Sequence, residues 1–231
     1  MKIAQADVVS VRLDVAPEAA DELAACLSED ERRRAHRFHF ERDRRRYMVA
    51  RGRLRHLLAS RLNVSPRDVE LAYGSGGKPR LARPAELLTF NVSHAGDVAA
   101  VAFSHGLEVG IDIEAVRELP DADQVAARFF SRRENEVYLA LDPSDKPAGF
   151  FNCWTRKEAF IKAIGDGLSY PLDRFDVTLA PGERARILRV GEASGEDCGW
   201  SLYAFSPGPG LVGAVVVQDS RVASELMAGH P

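Results

Sequence analysis

The sequence has little cysteine, little lysine and no long hydrophobic run, and each shortage excludes a class of protein. Its three cysteines, Cys26, Cys153 and Cys198, cannot all pair with one another, so we expect neither a disulfide framework nor a zinc site. The longest uncharged apolar runs, at 98–103 and 211–217, are far shorter than the ~20 residues of a membrane span. The N-terminus carries no apolar signal core. These features predict a cytoplasmic protein without a membrane segment.

Glycine and proline occur in ordinary amounts, 18 and 12 of 231 residues, which excludes a collagen-like or disordered chain. With 45% hydrophobic residues, the chain is long enough to form one large domain or two small ones around a buried core. The net charge of −3 argues against an overall basic nucleic-acid binder.

Positive charge is concentrated in one segment. Eleven of the 31 lysine and arginine residues lie at 32–55, where only Glu41 and Asp43 oppose them. This segment creates a local positive field that would attract phosphates, acidic proteins or nucleic acid. Arginine is the usual cation of this chain, because lysine occurs at only five positions: Lys2, Lys78, Lys146, Lys157 and Lys162.

Local signals predict four helices. Ser28 and Ser131 are each followed three residues later by a glutamate, the capping-box pattern, so a helix should begin after each serine. Apolar residues at helical spacing predict further helices over 44–62 and 148–164, the second ended by Gly165.

Strands are predicted to follow helices in each half of the chain. We expect 98–103 and 107–114 to form a hairpin, and 91–96 to be a polar turn that leaves a strand. This order favours an α+β fold over a doubly wound parallel sheet, with an N-terminal half at 1–104 and a C-terminal half at 105–231. The other predicted strands are at 69–72, 87–92, 174–179, 186–190, 200–205 and 211–217.

Two carboxylates share one face of the strand predicted at 107–114. Strand alternation places Asp112, Glu114 and Gly110 on this face, opposite an apolar face. Like charges this close repel one another unless a cation lies between them, and a hard divalent cation is the usual solution. Taken alone, the pair also fits the polar face of a solvent-exposed strand edge.

Three further elements carry polar groups that a reaction could use. Within the helix at 148–164, Glu158 and Lys162 lie four residues apart and share a face. They fit either a surface ion pair or a metal-binding or proton-accepting carboxylate beside a phosphate-binding ammonium. The segment that begins at Asn91 and the glycine-rich loop that ends at Lys78 and Pro79 could each bind an anion.

These elements occur together, and in this combination the sequence resembles the Sfp-type, surfactin-synthetase-activating 4′-phosphopantetheinyl transferases. The resemblance covers residues 32 to 177, and the longer motifs carry most of its specificity. It rests on Gly-Lys-Pro at 77–79, Asn-Val-Ser-His at 91–94, Gly-Ile-Asp-Ile-Glu at 110–114, Arg-Phe-Phe-Ser at 128–131 and Trp-Thr-Arg-Lys-Glu-Ala-Phe-Ile-Lys at 154–162.

The resemblance implies transfer of the phosphopantetheine arm of coenzyme A to a serine of an acyl or peptidyl carrier protein, with release of adenosine 3′,5′-bisphosphate. It implies a monomer of two similar α/β-sandwich halves related by a pseudo-twofold axis, with coenzyme A in the cleft. It also implies Mg²⁺, or Mn²⁺, held by Asp112, Glu114 and Glu158. The expected carrier is acidic, so the arginine-rich segment would speed its encounter. Neither nucleic acid nor a membrane is an expected partner.

The same resemblance implies roles for single residues. Glu158 is the expected general base, directly or through a water, and Lys162 neutralises the leaving phosphate. Glu134 is a second candidate base, with the alternative that it only caps a helix, and Lys157 either assists or faces solvent. Arg46 and His94 would bind the 3′-phosphate. The full set implied to bind coenzyme A is Arg34, Arg46, Lys78, Pro79, Asn91, Ser93, His94 and Lys162.

Two alternatives use the same residues differently. A Mg²⁺-dependent phosphoesterase or nuclease would use these carboxylates to activate a water and would need no carrier protein. A non-catalytic module that binds nucleic acid or a partner through the arginine-rich helices would bind in a strongly salt-dependent manner.

Overall fold

A computed structural model describes residues 1–3, 5–74, 78–82, 88–165 and 170–220, which form a mixed α+β fold. The helices are α1 (Pro17–Ala24), α2 (Glu29–Ala35), α3 (Glu41–Leu62), α4 (Ala122–Phe129), α5 (Arg132–Leu139) and α6 (Lys146–Ile164). The strands are β1 (Lys2–Ile3), β2 (Ala6–Arg12), β3 (Leu71–Tyr73), β4 (Pro79–Leu81), β5 (Thr89–Ala95), β6 (Val98–Ser104), β7 (Val109–Ala115), β8 (Phe175–Val177), β9 (Ile187–Val190), β10 (Ala193–Ser194), β11 (Trp200–Phe205) and β12 (Leu211–Gln218). Among these residues, no helix combines the length and apolar character needed to cross a membrane.

The predicted helix starts and stops are confirmed where capping chemistry defines them. Ser28 and Ser131 each accept a hydrogen bond from the amide three residues on, and the glutamate there accepts one from the serine amide. Helix α6 ends at Gly165, whose φ of 80° lies in the left-handed region that glycine tolerates. Helix α3 begins at Glu41 and α6 at Lys146, each a few residues before the predicted start.

Two antiparallel sheets form the centre of the molecule. The first has the strand order β1-β2-β6-β5 and the second β11-β12-β7. In each half a long strand, β2 or β7, precedes the helices, so the predicted order of helices followed by strands is incomplete. The predicted hairpin of 98–103 with 107–114 is wrong, because β6 pairs with β2 and β5 whereas β7 pairs with β12.

Side chains join the edges of the two sheets. The Asn91 Oδ1 accepts a hydrogen bond from the backbone N–H of Ile111 at 3.0 Å, and the Ser93 Oγ accepts one from that of Ile113 at 3.3 Å. Strand β5 thereby lies beside β7 although their backbones do not pair in a ladder. The predicted polar turn at 91–96 is therefore wrong: its first five residues lie in β5, and Asn91 is buried because β7 supplies its partner.

The two faces of β7 have the expected difference in polarity. Val109, Ile111 and Ile113 are buried in an apolar cluster with side chains from β6 and β12. The opposite face packs against α6, where a Cβ on Gly110 would collide with the backbone of Ala159 and Ala163. Because glycine lets this helix approach closely, the carboxylates of β7 and the polar side chains of α6 come together.

Candidate active site

A cavity of about 750 Å³ lies where β5, β7 and α6 meet. The end of α4 and the segment at 170–173 close its other sides. Its lining residues are Val92, Ser93, His94, Asp112, Ile113, Glu114, Arg128, Phe129, Trp154, Glu158, Lys162, Tyr170, Pro171, Leu172 and Asp173. The same cavity is thus lined by the carboxylates of β7 and by Glu158 and Lys162 of α6. The two groups lie about forty residues apart in the sequence.

Asp112 is the most buried carboxylate of this cavity, with 4% of its surface exposed. Its Oδ1 accepts hydrogen bonds from the Lys162 ammonium at 2.6 Å and from the Ser93 hydroxyl at 2.8 Å. Its Oδ2 is buried and has no hydrogen-bond partner. A buried carboxylate oxygen without a partner is unfavourable, so this oxygen can readily accept a further hydrogen bond or bind a cation.

Glu114 and Glu158 are half-buried and line the same cavity as Asp112. Burial, and then the negative charge of Asp112, raise the pKa of both carboxyls above the ordinary glutamate value. Lys162 pairs with Asp112 and not with Glu158, so the first alternative for these two residues, a surface ion pair within α6, does not form. The lining carries four carboxylates, those of Asp112, Glu114, Glu158 and Asp173, against the Lys162 ammonium and the Arg128 guanidinium, so the cavity has an excess of negative charge.

The donor set fits a hard divalent cation. Carboxylate oxygens are the ligands that Mg²⁺ prefers, and the unpartnered Oδ2 of Asp112 is an acceptor that such an ion would satisfy. Within the ranges that the structure describes, no three acidic, histidine or cysteine side chains are gathered closely enough to enclose a metal by themselves. This agrees with the habit of Mg²⁺ of retaining waters and binding substrate phosphates alongside one or two carboxylates.

The burial of Glu114 and its repulsion by Asp112 should lower the thermal stability of the folded protein at high pH. Because the pKa of Glu114 is raised, the folded protein binds its proton more tightly than the unfolded chain does. Stability is then lost as the pH rises from the ordinary glutamate pKa through the raised one. Glu114→Gln removes this penalty, so we expect the Tm of the metal-free variant to exceed that of the wild type by a few degrees at about pH 8. The two should have closely similar Tm values at about pH 4.

Thermal denaturation followed by circular dichroism checks this result. Glu118→Gln, at an exposed position shortly after β7, is the matched control and should leave the Tm unchanged at both pH values. A lower Tm for Glu114→Gln at about pH 8 would show that Glu114 is satisfied and not repelled.

The residues predicted to bind coenzyme A do not all reach the cavity. Ser93 and His94 line it, whereas Asn91 is buried at the junction of the sheets. The Arg46 guanidinium donates through Nε to the Asp97 carboxylate at 2.7 Å. Arg34 is exposed, with its guanidinium 5.8 Å from the centre of the Tyr47 ring.

Lys78 and Pro79 line a separate depression on the other side of the α6 terminus. The Lys78 ammonium donates to the backbone carbonyl of Lys162 at 2.6 Å, and burial lowers the pKa of this lysine. Lys78 therefore holds the end of α6 in the structure. Gly77, the first residue of the same predicted motif, lies outside the described residues.

Glu134 of α5 and Lys157 of α6 form a buried ion pair. Both side chains are 1% exposed, and the Lys157 ammonium lies 2.7 Å from the Glu134 carboxylate. The same carboxylate completes the capping box of α5, which confirms the capping alternative. Neither side chain is among those that line the cavity, and Lys157 is buried and does not face solvent.

Several lining residues were not predicted as site residues. Trp154 is half-buried and lines the cavity together with Arg128 and Phe129. The Arg-Phe-Phe-Ser motif at 128–131 was the available signal for the latter two. The segment at 170–173 carried no signal, because its position depends on contacts made by α6.

Carboxylates that could hold a divalent cation, beside a lysine that could neutralise developing charge, have the chemistry of an enzyme that acts on phosphate groups. Two family models narrow this class. The model described as the 4′-phosphopantetheinyl transferase superfamily matches residues 108–212, and that described as 4′-phosphopantetheinyl transferase, N-terminal, matches residues 16–106.

Individual relatives agree with these matches. The chain is 40% identical over 209 residues to the 4′-phosphopantetheinyl transferase HetI of Nostoc sp., covering 90% of this chain and 85% of the relative. It is 33% identical over 153 residues to the 4′-phosphopantetheinyl transferase Sfp of Bacillus subtilis, covering 66% of each chain. It is 34% identical over 177 residues to the human L-aminoadipate-semialdehyde dehydrogenase-phosphopantetheinyl transferase, covering 71% of this chain and 57% of the relative.

The chain belongs to the 4′-phosphopantetheinyl transferase superfamily, which confirms the resemblance seen in the sequence. It is an enzyme that transfers the phosphopantetheine group of coenzyme A to carrier proteins. The comparisons do not support the phosphoesterase or nuclease alternative, and they leave the non-catalytic binding module without support.

Proposed function

We propose that the cavity at the junction of β5, β7 and α6 is the site of this transfer. The observation that carries the proposal is the Asp112 carboxylate, which pairs with Lys162 through one oxygen and keeps the other unpartnered beside Glu114 and Glu158. Asp112, Glu114 and Glu158 would hold Mg²⁺, or Mn²⁺, together with waters and the substrate phosphates, one or two of the carboxylates binding it directly. The cation, when bound, would offset the negative charge of the coenzyme A pyrophosphate.

Glu158 and Lys162 have the positions and chemistry that the transfer needs. Glu158 would accept the proton of the carrier serine, directly or through a water, and its raised pKa makes the ionised carboxylate a better base. The serine oxygen would form a bond to the β-phosphorus while the bond from that phosphorus to the bridging oxygen breaks. The Lys162 ammonium, fixed by Asp112 at 2.6 Å, would stabilise the charge that develops on the leaving α-phosphate.

The nucleotide would lie toward β5 and α3. Ser93 and His94 line the cavity on this side, and the Asp97 that holds Arg46 lies three residues after His94. Arg46 would exchange this carboxylate for the 3′-phosphate. Arg34 would add a second positive charge near this phosphate. Lys78 and Pro79 would support coenzyme A binding by holding the end of α6 in place, and Asn91 by joining β5 to β7.

Arg46→Ala tests the phosphate role. We expect the KM for coenzyme A to rise by about 10-fold, the loss of one charge-assisted phosphate contact, with a much smaller change for dephospho-coenzyme A, which lacks the 3′-phosphate. Steady-state kinetics with both substrates measures the difference. Arg12→Ala, which removes an exposed arginine paired with Asp14, is the control and should alter neither KM. Equal losses for both substrates would contradict the assignment.

The chain would consist of two similar halves, 1–104 and 105–231, related by a pseudo-twofold axis. The equivalent strand orders β2-β6-β5 and β7-β12-β11 support this arrangement, as do family matches that meet between residues 106 and 108. The enzyme would act as a cytoplasmic monomer on acidic acyl or peptidyl carrier proteins, without nucleic acid or membrane. The arginine-rich segment supports the choice of an acidic partner.

Intact-protein mass spectrometry tests the reaction and its metal together. An apo carrier protein incubated with this enzyme, coenzyme A and Mg²⁺ should gain the mass of one phosphopantetheine, and a chelator should abolish the gain. A gain that persists with chelator would refute the metal assignment. No gain with carriers from fatty-acid, polyketide and nonribosomal-peptide synthesis would refute the proposed substrates.

A further inference from the structure

A buried ion pair ties together three walls of the cavity. The Lys157 ammonium contacts the Glu134 carboxylate at 2.7 Å and donates to the backbone carbonyls of Leu172 at 2.6 Å and Phe175 at 2.8 Å. Glu134 in turn accepts from the backbone amides of Ser131 at 2.7 Å and Val177 at 2.8 Å. We call Glu134 and Lys157 the C-terminal latch.

Three connections of the C-terminal latch reach the cavity wall or lie within two residues of it. Lys157 directly precedes Glu158 in α6, and Ser131 follows the lining residue Phe129 by two positions. Leu172 lines the cavity itself. The latch therefore fixes the rotation of α6 about its axis, the end of α4 and the segment at 170–175 relative to one another.

The N-terminal half contains the same device away from the cavity. Glu31, at the third position of the α2 capping box, accepts from Arg55 of α3 at 2.7 Å. Arg55 also donates to the carbonyls of Pro66 and Val69, each at 3.0 Å. Both side chains are buried, at 2% and 3% exposed, but neither they nor the carbonyls they bind line the cavity. We call Glu31 and Arg55 the N-terminal latch.

We infer that Glu134 and Lys157 are positioning residues for the transfer reaction, whereas their counterparts Glu31 and Arg55 serve stability alone. This inference rests on the proposed function of the cavity and adds two residues to it that touch no substrate. Loss of Lys157 frees the carbonyls of Leu172 and Phe175 and removes the anchor beside Glu158. Small displacements of a catalytic group reduce the rate of the chemical step more than they reduce binding.

Two variants of the C-terminal latch, compared with a control double variant of the N-terminal latch, separate a positioning role from a role in stability. Lys157→Met leaves the Glu134 carboxylate buried and unpaired, so it should lower the Tm most. Glu134→Gln/Lys157→Met removes both charges and should recover part of the Tm, because a buried pair replaced by neutral groups leaves no unpaired charge. If the latch positions the cavity, kcat does not recover with the Tm: the double variant stays about 10- to 100-fold below the wild type, with a smaller change in the KM for coenzyme A.

Glu31→Gln/Arg55→Met is the matched control. It should lower the Tm to a similar extent and leave kcat within about twofold of the wild type. Amide hydrogen exchange gives a readout that does not require activity: exchange at 172–177 should accelerate in the C-terminal double variant and stay unchanged in the control. Equal kcat losses in the two double variants, or a kcat that recovers with the Tm, would overturn the inference.

The two proposals fail in different ways. If Asp112→Asn and Glu158→Gln transfer at the wild-type rate, the cavity is not the reaction site and the proposed function fails. If those variants are inactive but the C-terminal double variant keeps the wild-type kcat with accelerated exchange at 172–177, only the positioning role fails.

Discussion

Asp112→Asn should reduce the kcat/KM for phosphopantetheine transfer by about 10²- to 10³-fold without changing the circular dichroism spectrum. Asparagine has the shape of aspartate and can still accept from Ser93, so β5 and β7 remain joined. The variant loses the negative charge that holds the Lys162 ammonium, and it loses the Oδ2 acceptor that is buried in the cavity without a partner. Both losses act directly on the groups proposed to stabilise the transferred phosphate.

Asp123 supplies the matched control. Its carboxylate also accepts from a hydroxyl, that of Tyr138 at 2.9 Å, and from an ammonium, that of Lys146 at 3.1 Å, but it does not line the cavity. Asp123→Asn should retain kcat/KM within about twofold. Transfer by Asp112→Asn at the wild-type rate would show that Asp112 is not part of the reaction site.

Gly110→Ala should destabilise the protein by about 3 kcal/mol and abolish transfer at temperatures where the wild type is active. The added methyl would lie within 2.9 Å of the Cα of Ala163 and still closer to backbone atoms that cannot move independently of the helix. Helix α6 must therefore shift away from β7, which separates Lys162 from Asp112. The transfer rate should fall by more than the fraction of folded protein does, because the shift of α6 also breaks the contact between Lys162 and Asp112 in the molecules that remain folded.

Gly208→Ala is the control for the loss of glycine. A Cβ there would meet only the Leu211 Cδ1, at an ordinary contact distance of 3.7 Å. Urea unfolding and transfer kinetics of both variants measure the two effects. A Gly110→Ala protein with the wild-type unfolding midpoint would show that α6 does not pack against β7 as described.

Local chemistry explains why part of the fold could be predicted. Both capping boxes and the glycine that ends α6 depend on residues at most four positions apart, so their structures follow from the sequence. The pairing of β7 with β12 depends on residues about 100 positions later in the chain, which a local pattern does not specify. The predicted hairpin with β6 failed for this reason.

The candidate site likewise contains residues whose positions follow from local periodicity and residues whose contacts depend on distant parts of the chain. Asp112 and Glu114 are brought to one face by strand alternation, and Glu158 and Lys162 by helical periodicity, so their convergence needed only the packing of α6 on β7. The partners of the remaining cations are distant in sequence. Asp97 lies 51 positions from Arg46 and the Lys162 carbonyl 84 positions from Lys78. Lys78 and Lys162 lie in motifs, but no motif specifies which residue either Arg46 or Lys78 contacts, so both contacts are visible only in the folded structure.

The most direct test of the account is the distance between the bound metal and the coenzyme A pyrophosphate. Phosphorus NMR of coenzyme A with the enzyme and Mn²⁺, whose unpaired electrons broaden nearby resonances, measures this proximity. We predict selective broadening of the two pyrophosphate resonances with the wild-type protein and its loss with Asp112→Asn, while Asp123→Asn behaves as the wild type. Equal broadening with wild-type and Asp112→Asn enzymes would contradict a metal site built on Asp112.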